Sequence, residues 1–166
     1  MTAQPTEKAL FRIDYDGVWF HDGAEIKRHA LARLFAAKGL RIDADGAYWL
    51  SSPEEKYPVE VADVPFIITD YDITGAGPSQ AVDLITNMGE RVALGPDRIL
   101  ELRPEPLGRV IVPYVAVRHG LYARLSRPVF YNLVEKAEPL DDTMVLYSRN
   151  SRQSLGRIME PDKNNS

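Results

Sequence analysis

Polar and apolar residues alternate over residues 11–21, and this pattern predicts a β-hairpin near the start of the chain. Asp16-Gly17 stands at its centre and can supply the positive φ angles of a two-residue turn. With that turn, one face of the hairpin carries Ile13, Tyr15, Val18 and Phe20. We therefore expect these side chains to lie together on one side.

Residues 24–38 show the spacing of a helix instead. Its apolar positions are Leu31, Leu34 and Phe35, and its polar face carries Lys27, Arg28 and Arg33. Gly39 suits the left-handed residue that follows many helices. A second hairpin is predicted from strands at residues 40–42 and 48–50, and residues 51–56 have the composition of a loop.

Similar apolar patterns predict further strands and a second helix in the rest of the chain. The strands are expected at residues 59–61, 66–69, 81–86, 91–94, 99–102, 110–117, 121–125 and 144–147. Pro128 can begin the helix, because the first helical turn has no use for the N–H group that proline lacks. The apolar stripe of this helix consists of Val129, Phe130, Leu133, Val134 and Ala137.

The order of a hairpin, a helix and a closing strand occurs twice. The first copy runs from Tyr15 through the first helix to the strand at residues 46–50. The second begins at Arg118, continues through the helix at Pro128 and ends at residues 144–147. We therefore predict an α+β fold with a duplicated motif, in which two small lobes each consist of an antiparallel sheet and one packed helix. A ligand could lodge in the groove between the lobes.

The cluster of glycine, proline and serine at residues 75–79 marks the predicted boundary between the lobes. The N-terminal lobe is expected over residues 11–74 and the C-terminal lobe over residues 80–149. Residues 1–10 are predicted to form a disordered N-terminus, and the polar residues 150–166 a frayed tail.

Composition narrows the class of protein. The chain of 166 residues contains no cysteine, which excludes disulfides, thiolate metal sites and cysteine nucleophiles and fits a reducing compartment. The first residues lack the apolar run of a secretory signal, and no segment is long enough to span a bilayer. We expect a cytoplasmic protein without membrane association.

Charge is distributed unevenly along the chain. The net charge of -4 argues against nucleic-acid binding, which requires a basic surface. Residues 107–136 nevertheless contain five basic residues against one acid, a net charge of +4, so the remainder carries -8. A local basic segment on an acidic protein is typical of a site for a small anion, although scattered, solvated arginines give the same count.

Six runs of residues carry a resemblance to a known family. They are residues 19–28, Leu34-Phe35, residues 48–56, residues 59–66, residues 113–118 and residues 127–131, the first beginning Trp19-Phe20-His21-Asp22-Gly23 and the last reading Arg127-Pro128-Val129-Phe130-Tyr131. Through them, the chain from about residue 11 to residue 147 resembles the bacterial domain of unknown function 1285 family.

The resemblance implies a duplicated α+β arrangement, a C-terminal half superficially like a pleckstrin-homology fold, and a small-ligand site between the halves. It also implies a nucleotide-like ligand and a role in signal transduction, without enzymatic activity. The usual family pattern near Ser52 is Thr-Pro-Val-Glu-Lys, whereas this chain has Ser52-Pro53-Glu54-Glu55-Lys56. Serine keeps the hydroxyl, but Glu54 adds a negative charge beside the expected pocket.

The strongest candidate site is a group of polar residues just before the helix at Pro128. Arg124, Ser126 and Arg127 flank a helix start, where unpaired N–H groups and a partial positive charge favour phosphate or carboxylate. Arg118 could join them, although the predicted register points it to the opposite face. The alternative is that these arginines lie over the sheet and pair with nearby acids.

The loop at residues 51–56 supplies the second group of candidates. Lys56 could contact an anion, Glu55 could accept a hydrogen bond from a ribose or a base edge, and Ser52 offers its hydroxyl. Tyr131, at the end of the last resembling run, completes the predicted ligand-binding set. A capped, solvated turn explains the loop equally well.

Known catalytic and metal motifs are missing from the sequence. The histidines His21, His29 and His119 match no ligand spacing, and Asp14 to Gly17 and Asp43 to Gly46 lack the distal glutamate of a calcium loop. No Gly-x-Ser-x-Gly, phosphate-binding loop or zinc-protease motif occurs. We expect neither a metal nor a cofactor.

Three functional hypotheses remain open. The first is a non-enzymatic protein that binds a small anionic, nucleotide-like molecule between its lobes. The second is a protein-interaction module that uses a sheet edge or the helix at Pro128. The third is an enzyme in which Glu55 is the general base and Lys56 or Arg127 stabilises negative charge.

Overall fold

The computed structural model describes residues 10–106, 108 and 110–157, which form two six-stranded sheets, one three-stranded sheet and two α-helices. The N-terminal lobe comprises β1 (Phe11–Ile13), β2 (Trp19–His21), β3 (Ala24–Glu25), α1 (His29–Leu34), a π-helical turn (Phe35–Gly39), β4 (Leu40–Ile42), β5 (Tyr48–Ser51) and β6 (Lys56–Val61). Its strands are ordered β3-β2-β1-β6-β5-β4.

The C-terminal lobe contains the other two sheets. It comprises β7 (Phe66–Thr74), a short 3-10 turn (Gly77–Ser79), β8 (Ala81–Thr86), β9 (Arg91–Ala93), β10 (Glu101–Pro104), β11 (Ile111–Arg118), β12 (Leu121–Leu125), α2 (Arg127–Lys136), β13 (Glu138–Leu140), β14 (Thr143–Ser148) and β15 (Ser151–Arg157). Its larger sheet has the order β10-β11-β12-β7-β8-β9, and the smaller one β13-β14-β15.

The predicted α+β fold with a duplicated motif is confirmed, with two corrections to its sheets. The C-terminal lobe contains a second, three-stranded sheet, whereas one sheet in each lobe was predicted. Each six-stranded sheet includes one parallel pair, β1 with β6 and β12 with β7, and is therefore mixed. A parallel pair needs a long crossover connection, and both pairs join strands that are far apart in the sequence. Local hairpin signals in the sequence reveal only the antiparallel partners.

The predicted boundary between the lobes is wrong. Strand β7 pairs with β8 and β12, so residues 66–74 belong to the C-terminal sheet. Residues 75–79 connect β7 to β8, and Gly75 and Gly77 take the positive φ angles of +86° and +69° there. The same small residues serve a tight connection between paired strands and a linker between lobes, so composition alone does not distinguish the two.

The prediction of a frayed tail is wrong for residues 151–157, which form β15. This strand pairs with β14 along its whole length, from Ser148↔Ser151 to Thr143↔Arg157. Gln153 and Leu155 are buried in it. The predicted disordered N-terminus falls almost entirely on residues 1–9, and most of the rest of the predicted tail falls on residues 158–166. Both ranges lie outside the described residues. Leu107 and Arg109 of the basic segment also lie outside them.

The first hairpin is confirmed, but its register differs from the prediction. Ile13 pairs with Trp19, so the connecting loop is longer than two residues. The Asp14 carboxylate shapes this loop by accepting hydrogen bonds from the backbone N–H groups of Asp16 and Val18, both at 2.9 Å. As a result Trp19, rather than Phe20, faces the core with Ile13.

The first helix is shorter than predicted and buries different side chains. Ala32 and Ala36 face the core, whereas Leu31 and Leu34 are exposed. Gly39 does not take a left-handed conformation. It instead permits close packing, because a Cβ atom at this position would lie 2.7 Å from Leu50 Cδ1 and 3.1 Å from the carbonyl oxygen of Ser51.

One continuous core joins the two lobes. It includes Ile13, Trp19 and Leu40 from the N-terminal lobe and Leu84 and Leu133 from the C-terminal lobe. Val129 and Leu133 of α2 are buried, and Phe130, Val134 and Ala137 pack against the core, which confirms the predicted stripe. Within the described part of the chain, no helix has the length and apolar character needed to cross a membrane.

Candidate functional site

A crevice of about 500 Å³ lies between the two lobes. The N-terminal lobe forms one wall with α1 and the π-helical turn, and the C-terminal lobe forms the other with the β8–β9 turn and the end of β11. The residues that line the crevice are Ala30, Arg33, Leu34, Ala36, Ala37, Met88, Gly89, Glu90 and Arg118. Its walls are mostly apolar, and its charged groups are two guanidinium groups and one carboxylate.

Arg118 reaches from the C-terminal lobe across the crevice to the N-terminal lobe. Its Nη2 donates a hydrogen bond of 2.6 Å to the carbonyl oxygen of Ala36, and its Nε donates one of 3.1 Å to Glu90 Oε2. The guanidinium also lies 5.6 Å from the centroid of the Phe66 ring. These contacts fix the orientation of the group, while Nη1 makes no hydrogen bond to any residue that the structure describes.

Arg33 approaches the crevice from the opposite lobe. It is exposed on α1, and its guanidinium lies against Gly89, where a Cβ atom would be 3.0 Å from Arg33 Nη2. No carboxylate among the described residues forms an ion pair with it. Together with Arg118, Arg33 gives the crevice a positive excess that Glu90 only partly offsets.

Arg124 forms a second contact between the lobes. This residue is 6% exposed, and its Nη1 lies 2.6 Å from Asp63 Oδ2. Its Nη2 donates to the carbonyl oxygen of Tyr15 at 2.6 Å, and the guanidinium stacks on the Tyr15 ring, 3.6 Å from the centroid. The charge of Arg124 is thus already neutralised within the protein, and this residue does not line the crevice.

Two tyrosines complete this contact, which we call the seam and define by Tyr15, Asp63, Tyr114 and Arg124. The Tyr114 hydroxyl donates a hydrogen bond of 2.8 Å to Asp63 Oδ2. Burial and the neighbouring Asp63 carboxylate raise the pKa of Tyr114, which keeps its hydroxyl protonated as a donor. The Tyr15 hydroxyl donates to Glu105 Oε2 at 3.0 Å.

The family models cover nearly the whole chain. Residues 3–64 match the N-terminal domain of the domain of unknown function DUF1285, and residues 65–153 match the C-terminal domain of the same family. The chain belongs to the DUF1285 family. The models meet immediately before β7, so the crevice and the seam of this DUF1285 protein lie between its two family domains.

Two crystal structures of DUF1285 family proteins resemble this one. The protein from Silicibacter pomeroyi DSS-3 is 32% identical, with 91% of this chain and 81% of that chain covered and a TM-score of 0.82. The protein from Shewanella baltica OS155 is 26% identical, with 78% of this chain and 94% of that one covered and a TM-score of 0.60. No curated protein matches the chain.

The predicted residues near α2 do not reach the crevice of this DUF1285 protein. Ser126 caps the helix, since its hydroxyl accepts a hydrogen bond of 3.4 Å from the backbone N–H of Val129. Arg127 and Tyr131 are exposed on α2, and neither lines the crevice. The sequence correctly placed Ser126 at a helix start, but no residue of that helix start lines the crevice.

The loop of Ser52, Glu55 and Lys56 lies elsewhere in the N-terminal lobe, at the β5–β6 turn. The Ser52 hydroxyl accepts from the backbone N–H of Glu55 at 3.0 Å, and Glu55 accepts a hydrogen bond from the Tyr57 hydroxyl. The Lys56 ammonium lies 4.3 Å from the centroid of the Trp49 ring. These groups have partners in or beside the turn, and none of the three residues lines the crevice.

Arg118 is the predicted residue that lines the crevice, and Arg33 is the residue that sequence reasoning missed. Arg33 occupies the polar face of a predicted helix, which is where solvated arginines are usual. Its position at the crevice depends on the β8–β9 turn, which comes more than fifty residues later in the chain. The small residues Ala36, Ala37 and Gly89 are the sequence signal that was available for a close approach between the π-helical turn and the β8–β9 turn.

Proposed function

We propose that this protein is a cytoplasmic, non-enzymatic binding protein that accepts a small anionic, nucleotide-like molecule between its two lobes and acts in signal transduction. The observation that carries the proposal is the approach of Arg33 and Arg118, from different lobes, to one crevice of about 500 Å³. Pockets of this size and apolar character take cofactor-sized ligands.

The chemistry of the crevice defines the ligand class. Two guanidinium groups can form paired hydrogen bonds to a phosphate or carboxylate, and this planar recognition is the usual role of arginine at anion sites. The alanines, Leu34 and Met88 provide the surface for an apolar or flat portion of the same molecule. Glu90 orients Arg118 and leaves one carboxylate oxygen that can accept a hydrogen bond from a ligand hydroxyl.

A ligand in this crevice would bridge the lobes and shift the equilibrium between their relative arrangements. The continuous core and the seam hold the lobes together, whereas the crevice separates α1 from the β8–β9 turn. A molecule that contacts both Arg33 and Arg118 favours the arrangement in which those two groups are close. A partner protein that recognises this arrangement would then respond to the ligand.

Arg33→Met is expected to weaken the binding of the anionic ligand by about tenfold to a hundredfold, because a hydrogen bond between charged groups contributes about 1.5–3 kcal/mol. Arg118→Met is expected to have a similar effect. Isothermal titration against a panel of nucleoside mono- and diphosphates measures both. Arg152→Met, an exposed arginine on β15, is the matched control and should bind like the original protein.

A second candidate function rests on the exposed face of α2. Arg127 and Tyr131 are four residues apart on this helix and both are exposed, Tyr131 by 56%. Arginine and tyrosine are frequent at the energetic centre of protein interfaces. Under this hypothesis Arg127→Glu abolishes the capture of a partner and leaves the nucleotide titration unchanged, whereas the crevice proposal predicts that partner capture depends on Arg33.

A further inference from the structure

A second cavity, of about 450 Å³, lies within the N-terminal lobe. Its walls come from the π-helical turn on one side and from β1, β5 and β6 on the other. The apolar side chains that form it are those of Phe11, Leu34, Phe35, Leu50, Pro53 and Tyr57. Of the residues that line the crevice, Leu34 alone also lines this cavity, so the two cavities are separate sites.

Among the described residues, two hydroxyl groups around this cavity are hydrogen-bonded within the protein, whereas its one charged group is not. The Ser52 hydroxyl is hydrogen-bonded to the backbone of Glu55, and the Tyr57 hydroxyl donates to the Glu55 carboxylate. Lys38 lines the cavity, and its ammonium group makes no hydrogen bond or ion pair with the residues described here. The cavity therefore offers an apolar interior and a single positive charge at its edge.

The π-helical turn explains why aromatic and charged groups face the same space. The backbone N–H of Leu40 donates to the carbonyl oxygen of Phe35, which widens the turn by one residue relative to an α-helix. This widening brings Phe35, Lys38 and Gly39 to the same cavity. Gly39 also lets the turn approach Leu50 closely. Turns of this kind occur frequently at functional sites.

We propose that this cavity binds an apolar molecule with one negatively charged group, of the class of a medium-chain carboxylate. The hydrocarbon portion would lie among Phe11, Phe35 and Leu50, and the carboxylate would pair with the Lys38 ammonium. Charge complementarity selects this class over amines, which Lys38 repels, and over multiply charged phosphates, which the aromatic walls exclude. The proposal does not depend on ligand binding in the crevice.

Calorimetric titration of the full chain with hexanoate, octanoate and decanoate tests the apolar part of the proposal. Burial of one methylene group predicts an increase in affinity of about fourfold for each added methylene until the cavity is full. Affinity that does not change with chain length would overturn the proposal. Trp19, whose ring centroid lies 6.1 Å from that of Phe35, provides an independent fluorescence signal.

Lys38→Met tests the proposed ion pair between the Lys38 ammonium and the ligand carboxylate. Octanoate should bind about fivefold more weakly to this variant, because an exposed ion pair contributes modestly, while octanol binding should be unchanged. Lys27→Met, at an exposed lysine that does not line the cavity, should bind octanoate like the original protein. Equal octanoate affinity in the Lys38 and Lys27 variants, or tighter binding of octylamine than of octanoate, would contradict the proposal.

The crevice variants separate this proposal from the proposed function. Arg33→Met should leave octanoate binding unchanged while it weakens nucleotide binding. A loss of octanoate affinity in Arg33→Met would place the carboxylate in the crevice and overturn the assignment to the second cavity. Absence of nucleotide binding together with a chain-length series that responds to Lys38 would support this inference and contradict the crevice proposal alone.

Discussion

Replacement of Arg124 by methionine is expected to destabilise the protein by about 3–5 kcal/mol, because it leaves the Asp63 carboxylate in the seam without its counter-charge. The pair is close, with Nη1 2.6 Å from Oδ2, and the Arg124 side chain is almost fully buried. Methionine also loses the stacking on Tyr15 and the hydrogen bond to its carbonyl oxygen. Urea unfolding followed by circular dichroism measures the change in the free energy of unfolding.

The matched control for Arg124 is an ion pair of the same chemistry at the surface. Arg157 and Asp142 lie 2.8 Å apart, but their side chains are 80% and 63% exposed. Arg157→Met should therefore change stability by less than about 1 kcal/mol. A loss of similar size in both variants would show that the seam is no more important than a surface pair.

A double-mutant cycle identifies the cause of the loss. Asp63→Asn removes the negative charge and keeps an acceptor for the Tyr114 hydroxyl, so the double variant with Arg124→Met should be more stable than Arg124→Met alone. The expected coupling is about 1–3 kcal/mol. Strict additivity would mean that packing, rather than the unpaired charge, determines the effect.

Replacement of Gln153 by leucine is the second change with a large expected effect. It should lower the free energy of unfolding by about 3 kcal/mol. Gln153 is fully buried, and its Oε1 accepts a hydrogen bond of 2.8 Å from the backbone N–H of Leu100. Its Nε2 donates to the hydroxyl of Ser151 at 2.8 Å and to the carbonyl oxygen of Gly95 at 3.3 Å. Leucine has a similar size but leaves the buried N–H of Leu100 without its acceptor. The carbonyl oxygen of Gly95 still accepts from the N–H of Arg98, and the Ser151 hydroxyl still donates to the carbonyl oxygen of Ser148.

The neighbouring residue of the same strand gives the control for Gln153. Arg152 is exposed on β15, so Arg152→Leu should change the free energy of unfolding by no more than about 0.5 kcal/mol. Thermal or urea unfolding of both variants makes the comparison. A loss below about 1 kcal/mol for Gln153→Leu would mean that β15 contributes little to the attachment of the third sheet.

Residues with regular apolar spacing were predicted well from the sequence. Strand β8 was predicted at its observed bounds, because Val82, Leu84 and Thr86 alternate with less buried residues and are buried together. The helix at Pro128 was predicted because its start and its stripe are both local signals. In these elements, the side chains that determine the structure are close together in the sequence.

Other elements depend on partners that are distant in the sequence. Strand β15 is mostly polar, and its buried Gln153 accepts a hydrogen bond from the backbone N–H of Leu100, which is 53 residues away. Strand β7 follows the loop that carries Asp63, yet it joins the second sheet through its parallel pairing with β12. Neither pairing produces a periodic pattern that could reveal it beforehand.

The candidate site likewise depends on contacts between residues that are distant in the sequence. A basic segment indicated that arginines of the C-terminal lobe matter, but the sequence could not show which of them were already paired. Arg124 forms an ion pair with Asp63, 61 residues away in the sequence, and is part of the seam. Arg118 meets Ala36, 82 residues away, and remains accessible at the crevice. Only the three-dimensional arrangement separates the structural arginine from the candidate ligand-binding one.

Methionine methyl NMR tests the crevice most directly. The chain contains four methionines, of which Met88 lines the crevice and Met144 lies in β14 of the third sheet. With carbon-13 methyl labels, and Met88→Leu to assign the signal, we predict that a nucleoside mono- or diphosphate shifts the Met88 signal saturably. The Met144 signal should stay in place, and the Met88 shift should weaken in Arg33→Met. A Met88 signal that does not respond to any member of the panel at millimolar concentration would contradict the account.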